Sequence, residues 1–258
     1  MTASGSHRLA VRAAIAPLLA EPRAAAPQVS QRLAGHAVDA LETQGDWVRI
    51  RGADGYEGWT HTGYLIPLPG GEARQSTGMR RISWGCHTRT SSGGRRALPL
   101  GALLGPDEVV ESGDAVNETE AEVRFPGTAA AIARSAEQYF CGSGYQWGGV
   151  TPWGADCSGF VQTVFWLHGV QLSRDAWQQA EEGGPSTHAL SAIQAGELAF
   201  FSDRDDQKIT HVGLGIGDGR MAHSAIGRGG FEVERVTDGG DTYLLKLRDR
   251  FRFIRQVL

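Results

Sequence analysis

Apolar and charged residues alternate at Trp47-Val48-Arg49-Ile50, the period of two expected of a half-buried strand. Arg51-Gly52-Ala53-Asp54-Gly55 follows, with Asp-Gly as a hairpin signal, and Tyr56-Glu57-Gly58-Trp59-Thr60 begins the return strand. Pro67, Pro69, Gly70 and Gly71 then break the pattern. A second β-like stretch runs from about 76 to 125, with a turn at Ser91-Ser92-Gly93-Gly94 and an apolar run from Leu98 to Leu104. Neither stretch has a long helical pattern, and each has the size of a small β-barrel.

The character changes after Phe125-Pro126-Gly127. Thr128 caps a predicted helix through Tyr139, filled with Ala129, Ala130, Ala131 and Ala133. A Gly-rich loop spans Cys141 to Gly154. Ser158 to His168 then carries Phe160, Val161, Val164, Phe165 and Leu167 at helical spacing, with Gly169 as the stop. Five strands are predicted beyond it: Glu197–Phe201, Ile209–Ile216, Met221–Ala225, Phe231–Val236 and Tyr243–Leu247. Helices first and strands afterwards make an α+β pattern. The expected domains are residues 1–70, 71–126 and 127–258.

Composition narrows the field. Hydrophobic residues are 41% and charged residues 21%, as in an ordinary soluble protein, and the 36 glycines suit many tight turns. A net charge of -4 and the lack of a basic, aromatic-interleaved patch argue against a nucleic-acid partner. No segment approaches the ~20 apolar residues of a membrane span. The uncharged stretch from Ala13 to Ala20 contains Pro17 and is followed by Glu21 and Arg23, unlike a secretory signal. Cys86, Cys141 and Cys157 cannot all pair within one chain, and none forms a CxxC. The expected compartment is the cytoplasm.

Cys157 stands where the Gly-rich loop ends and the helical pattern begins. A helix N-terminus lowers a thiol pKa and favours the thiolate. Ser158 and Gly159 are small enough to let a carbonyl approach. A buried, inert cysteine is the simpler alternative. The base must come from elsewhere. His211 interrupts the apolar run Ile209-Thr210-His211-Val212-Gly213-Leu214, and His223 lies in Met221-Ala222-His223-Ser224-Ala225. They are twelve residues apart, across the turn Gly217-Asp218-Gly219, so a hairpin sets them on adjacent strands. One nitrogen of His211 would take the thiol proton, and His223 would orient the ring through the other. A zinc site would need paired ligand spacings that are missing here; no metal or cofactor is expected.

Residues 127–258 resemble the NlpC-type cell-wall peptidases, a branch of the papain-like fold. The matching motifs are Y-x-W-G-G from Tyr145, D-C-S-G-F from Asp156, G-E-L-x-F-F from Gly196, H-V-G-L-x-I-G from His211, and M-A-H-S-A from Met221. D-W-V-R-I, turn, D-G-Y-E-G-W-T resembles bacterial SH3-like domains, and residues 71–126 do so through Leu98-Pro99-Leu100-Gly101 and size. The resemblance implies an α+β papain-like domain behind two SH3-like barrels. It implies a triad of Cys157, His211 and His223, with Tyr145 donating its hydroxyl to the oxyanion. The implied substrate is a small murein peptide, cut between D-γ-glutamate and a diamino acid. In relatives with such barrels the cleft admits only a free N-terminal L-Ala. Asp156 would hold its ammonium. Ser158 and Arg174, in Leu172-Ser173-Arg174-Asp175 … Gln178, would contact the D-glutamate. Tyr64 and Tyr56 are the barrel's candidate contacts.

Two other classes compete. A non-catalytic wall-binding module would not need the complete Cys/His/His set. A thiol acyltransferase would need a lipid-accessible apolar cleft, which Asp156 and Arg174 do not suit. A thiolate nucleophile would be alkylated faster than an ordinary cysteine near about pH 6.5. The reading predicts that Cys157→Ala and Cys157→Ser abolish peptide hydrolysis in a folded protein, while Cys86 and Cys141 are replaceable. Substantial turnover by either Cys157 variant would remove the assignment.

Overall fold

The computed structural model describes residues 8–68, 81–237 and 241–258. Its contacts gather the chain into two compact units, Met1–Val123 and Arg124–Leu258. The break at Pro69-Gly70-Gly71, and with it the boundary expected at residues 70 and 71, lies outside the described residues.

The first unit opens with β1 (Arg8–Val11), β2 (Ile15–Leu19), β3 (Gln28–Leu33), β4 (Ala37–Gln44), β5 (Trp47–Arg51), β6 (Glu57–His61) and β7 (Leu65–Pro67). They form one antiparallel sheet in the order β3-β2-β6-β5-β4-β1-β7. Val11, Ala16, Leu18, Val38, Val48, Ile50 and Leu65 fill its core. On β5, Val48 and Ile50 point inward, while Arg49 and Arg51 face out and pair with Glu57 on β6. The predicted turn is there: Gly55 has φ 75°, and Asp54 Oδ1 accepts the Tyr56 N–H at 3.0 Å. Asp54 also binds the buried Arg32 at 2.6 Å.

Residues 81–117 add β8 (Arg81–Arg89), β9 (Arg95–Leu98) and β10 (Val109–Asn117) as a three-stranded sheet in the order β10-β8-β9. The apolar run buries Leu98, Leu100 and Ala102, and Leu103 N–H reaches the Ala34 carbonyl at 2.8 Å. A short helix, α1 (Glu118–Arg124), follows where a strand was expected to continue. Glu118 and Glu120 in its first turn and Arg124 in its last suit the helix dipole.

The second unit begins with α2 (Ala129–Phe140), whose cap Thr128 accepts the Ala131 N–H. A small hairpin of β11 (Val150–Thr151) and β12 (Gly154–Ala155) leads into α3 (Cys157–Leu167) and then α4 (Ala176–Gln179). The strands are β13 (Gly184–Pro185), β14 (Glu197–Phe201), β15 (His211–Gly217), β16 (Arg220–Ala225), β17 (Gly230–Glu234) and β18 (Phe251–Gln256). They make a six-stranded antiparallel sheet, β13-β18-β14-β15-β16-β17. α3 packs against β15 and β16, with Phe160 edge-on between Phe140 and Phe231. A second core holds Ile193, Phe201, Met221, Leu247 and Ile254.

One predicted strand is a helix. Tyr243–Leu247 lies inside α5 (Thr242–Asp249). Asp241 caps it by accepting the Tyr243 and Leu244 N–H groups, and Leu244 and Leu247, three apart, are its buried residues. The Leu-rich run fits both periods, and the cap decides between them. The final strand is instead β18, paired with β14 and β13 in the sheet interior.

A Cβ at Gly159 would stand 2.1 Å from the Gly149 carbonyl oxygen, so the first turn of α3 touches loop backbone directly. Gly159→Ala should therefore cost about 1–3 kcal/mol by overpacking. Gly184→Ala, where a Cβ meets nothing within 4 Å, should not. Thermal unfolding of the two variants checks this; equal melting temperatures would contradict the close approach.

Candidate active site

Asp156 caps α3. Its Oδ1 accepts the Gly159 N–H at 2.7 Å and its Oδ2 the Gly148 N–H at 2.8 Å. Cys157 is therefore the first helical residue, with 8% of its surface exposed. The backbone N–H groups of Val212 and Ser158 act to lower the pKa of its thiol. Val212 follows His211 in β15, so the thiol lies against the start of that strand. Burial pushes the Cys157 thiol up to about 12, and the Asp156 carboxylate adds to the rise. The two N–H groups and Arg174 oppose it and lose. Burial and the charged cap thus work against the lowering that a helix N-terminus gives: the cap that builds the terminus carries a negative charge, and the sulfur is buried.

The antiparallel register assembles the rest. Leu214 lies opposite Ala222, so His211 is a diagonal neighbour of His223 across the β15–β16 ladder. Glu234 is the diagonal neighbour of His223 on the other side, because Glu232 lies directly opposite. The His211 Nε2 to His223 Nδ1 distance is 2.9 Å, and the His223 Nε2 to Glu234 Oε2 distance is 2.8 Å. His211 Nε2 is thereby occupied, which leaves Nδ1 for the thiol. Burial, then His223 and Arg250, hold the His211 pKa well below 6.5, so the ring is a neutral base. Burial pulls Glu234 up, but hydrogen bonds from His223 and Arg228 outweigh it and hold the carboxyl below its ordinary range.

Tyr145 leads the loop toward Cys157, its N–H bound to the Gly229 carbonyl at 2.8 Å. Burial, and then the neighbouring Asp156 carboxylate, raise its phenol pKa, so it stays a hydroxyl donor. Arg174 is 1% exposed, and its fork grips Asp156 at 3.0 and 2.7 Å and Ser158 Oγ at 2.9 Å. The residues expected to meet opposite ends of a zwitterionic substrate are therefore partners of each other. Ser158 and Gly159 are both buried; Ser158 meets Arg174, and Gly159 lies against the Gly149 carbonyl. In the Leu172 segment, Gln178 completes a capping box with Asp175. Gln179 is the fully buried amide, donating to the Ser158 and Ser173 carbonyls at 3.1 and 2.8 Å. Tyr56 and Tyr64 pack against the core of the first unit.

Glu234 and Arg228 escaped the sequence reading. The signal was there in Phe231-Glu232-Val233-Glu234, whose period of two puts a second acid on a strand beside His223. Among the described residues, no group of three or more His, Cys, Asp or Glu side chains is arranged to hold a metal. No helix among them is long and apolar enough to cross a membrane.

Known proteins resemble this chain in sequence and in fold. The NlpC/P60 family model matches residues 142–245, and the bacterial SH3 domain model matches residues 9–66. A gamma-D-glutamyl-L-lysine dipeptidyl-peptidase of Bacillus subtilis is 29% identical over 240 residues, spanning 81% of this chain and 76% of that protein. Its namesake in Bacillus cereus is 26% identical over 224 residues, spanning 76% of this chain and 66% of that one. The crystal structure of an NlpC/P60 family protein from Bacillus cereus has a TM-score of 0.77, covering 97% of this chain and 99% of that chain. At 19% identity this is a likeness of fold. An NlpC/P60 endopeptidase from Photobacterium damselae gives a TM-score of 0.70 at 14% identity, covering 98% and 71%. The chain therefore carries an NlpC/P60 family domain at residues 142–245 and a bacterial SH3 domain at residues 9–66.

Proposed function

We infer that this protein is a cysteine peptidase that hydrolyses the γ-D-glutamyl–diamino acid bond of small murein peptides with a free N-terminal L-Ala. The observation that carries the reading is the Cys157 sulfur beside the first residues of β15, where His211 is tied to His223 at 2.9 Å. The two dipeptidyl-peptidase relatives, matched through most of the chain, support the bond cleaved. Residues 81–117 count, in this reading, as a second and divergent SH3-like unit; their three-stranded sheet supports it.

The chemistry follows from the charges. In the free protein both partners are neutral, a thiol and an imidazole. As the substrate carbonyl reaches the sulfur, His211 Nδ1 takes the thiol proton and sulfur bonds to carbon. The oxyanion is met by the Cys157 N–H and the Tyr145 hydroxyl. His211 then gives its proton to the departing amine, and a thioester remains for water to cleave. Asp156 lends charge to the substrate ammonium. Since Arg174 already balances it, the ammonium adds one charge-assisted hydrogen bond, about 1.5–3 kcal/mol. Free turnover peptides in the cytoplasm are the proposed substrates, and Tyr56 and Tyr64 the proposed barrel contacts. Release of L-Ala-γ-D-Glu from a synthetic tripeptide, set beside intact sacculi, tests the whole reading; cleavage of sacculi alone would point to a wall-acting hydrolase.

Three measurements follow from these charges. Activity needs neutral His211, whose pKa lies well below 6.5, so kcat/KM should stay level as the pH falls through 6.5. Alkylation of Cys157 in the free protein should instead keep rising past about pH 9, as for an un-ionised thiol. A plateau below about pH 8 would mean a preformed thiolate. N-acetylation of the tripeptide should lower kcat/KM at least about ten-fold. Equal cleavage of free and acetylated peptide would remove the ammonium role of Asp156.

A further inference from the structure

We propose that Glu234, held by Arg228, is a positioning residue that fixes the tautomers of both histidines and so leaves the basic lone pair of His211 on Nδ1. The proposal rests on Cys157 and His211 as nucleophile and base. An ionised carboxylate can only accept hydrogen bonds. His223 Nε2, 2.8 Å from Glu234 Oε2, must therefore carry the proton. A neutral imidazole has one N–H, so His223 Nδ1 is a lone pair. That lone pair accepts from His211 Nε2 at 2.9 Å. His211 Nδ1 is then bare. In the reverse pattern His211 Nδ1 carries a hydrogen and cannot take the thiol proton. A carboxylate three side chains from the sulfur decides which pattern exists.

The surroundings are built for this. His223 has no exposed surface, so solvent cannot set its tautomer. Arg228 Nη2 binds Glu234 Oε1 and also Asp241 Oδ2, the latter at 2.8 Å. Its guanidinium lies 4.4 Å over the Tyr243 ring, and Asp241 is the cap of α5. The titratable groups facing His223 are His211 from β15, Glu234 and the exposed Glu232 from β17, and Tyr243 from α5 at 6.1 Å between rings. Burial raises Tyr243 to about 12, which leaves it uncharged. Arg250 acts on His211 from the end of α5. Among these groups Glu234 is the one hydrogen-bonded to His223 Nε2.

Nitrogen-15 NMR of histidine-labelled protein reads the tautomers directly, with no assay of activity. The expected spectrum of the unmodified protein shows N–H at Nε2 and a bare Nδ1 on both His211 and His223. A proton on His223 Nδ1, in a neutral ring or an imidazolium, would overturn the proposal even if the protein is a peptidase. In Glu234→Gln the amide can donate as well as accept, so both tautomers should appear, and kcat should fall ~10–100-fold. In a His223→Gln background the ring relay is gone, and adding Glu234→Gln should change kcat by less than about two-fold. A full and additive loss in that background would make Glu234 a structural prop. If Cys157→Ser retained activity while the NMR pattern held, the assignment of Cys157 as nucleophile would fail and the tautomer assignment would stand.

Discussion

The Asp156 carboxylate is the group on which the second unit is organised. It receives the Gly148 N–H from the Gly-rich loop, the Gly159 N–H from α3, and the Arg174 fork from the segment after α3. One buried anion thus ties together the loop before it, the helix it caps and a segment 18 residues further on. Burying a carboxylate is costly unless its charge is paired and its lone pairs are used, and breaking such a pair costs about 3–5 kcal/mol. That cost explains why a Gly-rich turn, an Asp-Cys-Ser-Gly run and an Arg beyond the helix occur together. Cys157 follows Asp156 directly, so the sulfur inherits its position from the cap.

The same anchoring sets the electrostatics. A sulfur placed at a capped helix start and covered by β15 has few water contacts and a carboxylate for a neighbour. Both favour its thiol form. The opposing wall is a sheet, and an antiparallel sheet offers diagonal neighbours at fixed spacing. His211, His223 and Glu234 use one diagonal of three strands, which aligns two imidazoles and a carboxylate without any loop. Glycine at 159 lets the helix start lie against Gly149 and completes the packing.

Much of this was legible in the sequence, and the exceptions have physical causes. Cys157, His211 and His223 announce themselves because a polar or reactive side chain interrupts an apolar pattern at a helix start or in a strand. The β5–β6 hairpin is legible because Val48 and Ile50 alternate with Arg49 and Arg51 before Asp54-Gly55. α5 is not legible because the five residues Tyr243–Leu247 fit either period, and only the cap at Asp241 separates them. Glu234 looked like a solvated strand acid, since nothing local reveals that its diagonal neighbour is a buried imidazole. The pairing of Arg174 with Asp156 is not legible, because sequence shows charges one at a time. Their mutual ion pair depends on the chain folding back after α3, a long-range event.

The most direct test of the account is mass spectrometry of the acid-quenched enzyme during turnover of L-Ala-γ-D-Glu-diamino acid peptide. The account predicts a thioester of L-Ala-γ-D-Glu on the peptide containing Cys157, absent in His211→Ala. Turnover with no adduct on Cys157, or with an adduct on another residue, would contradict it.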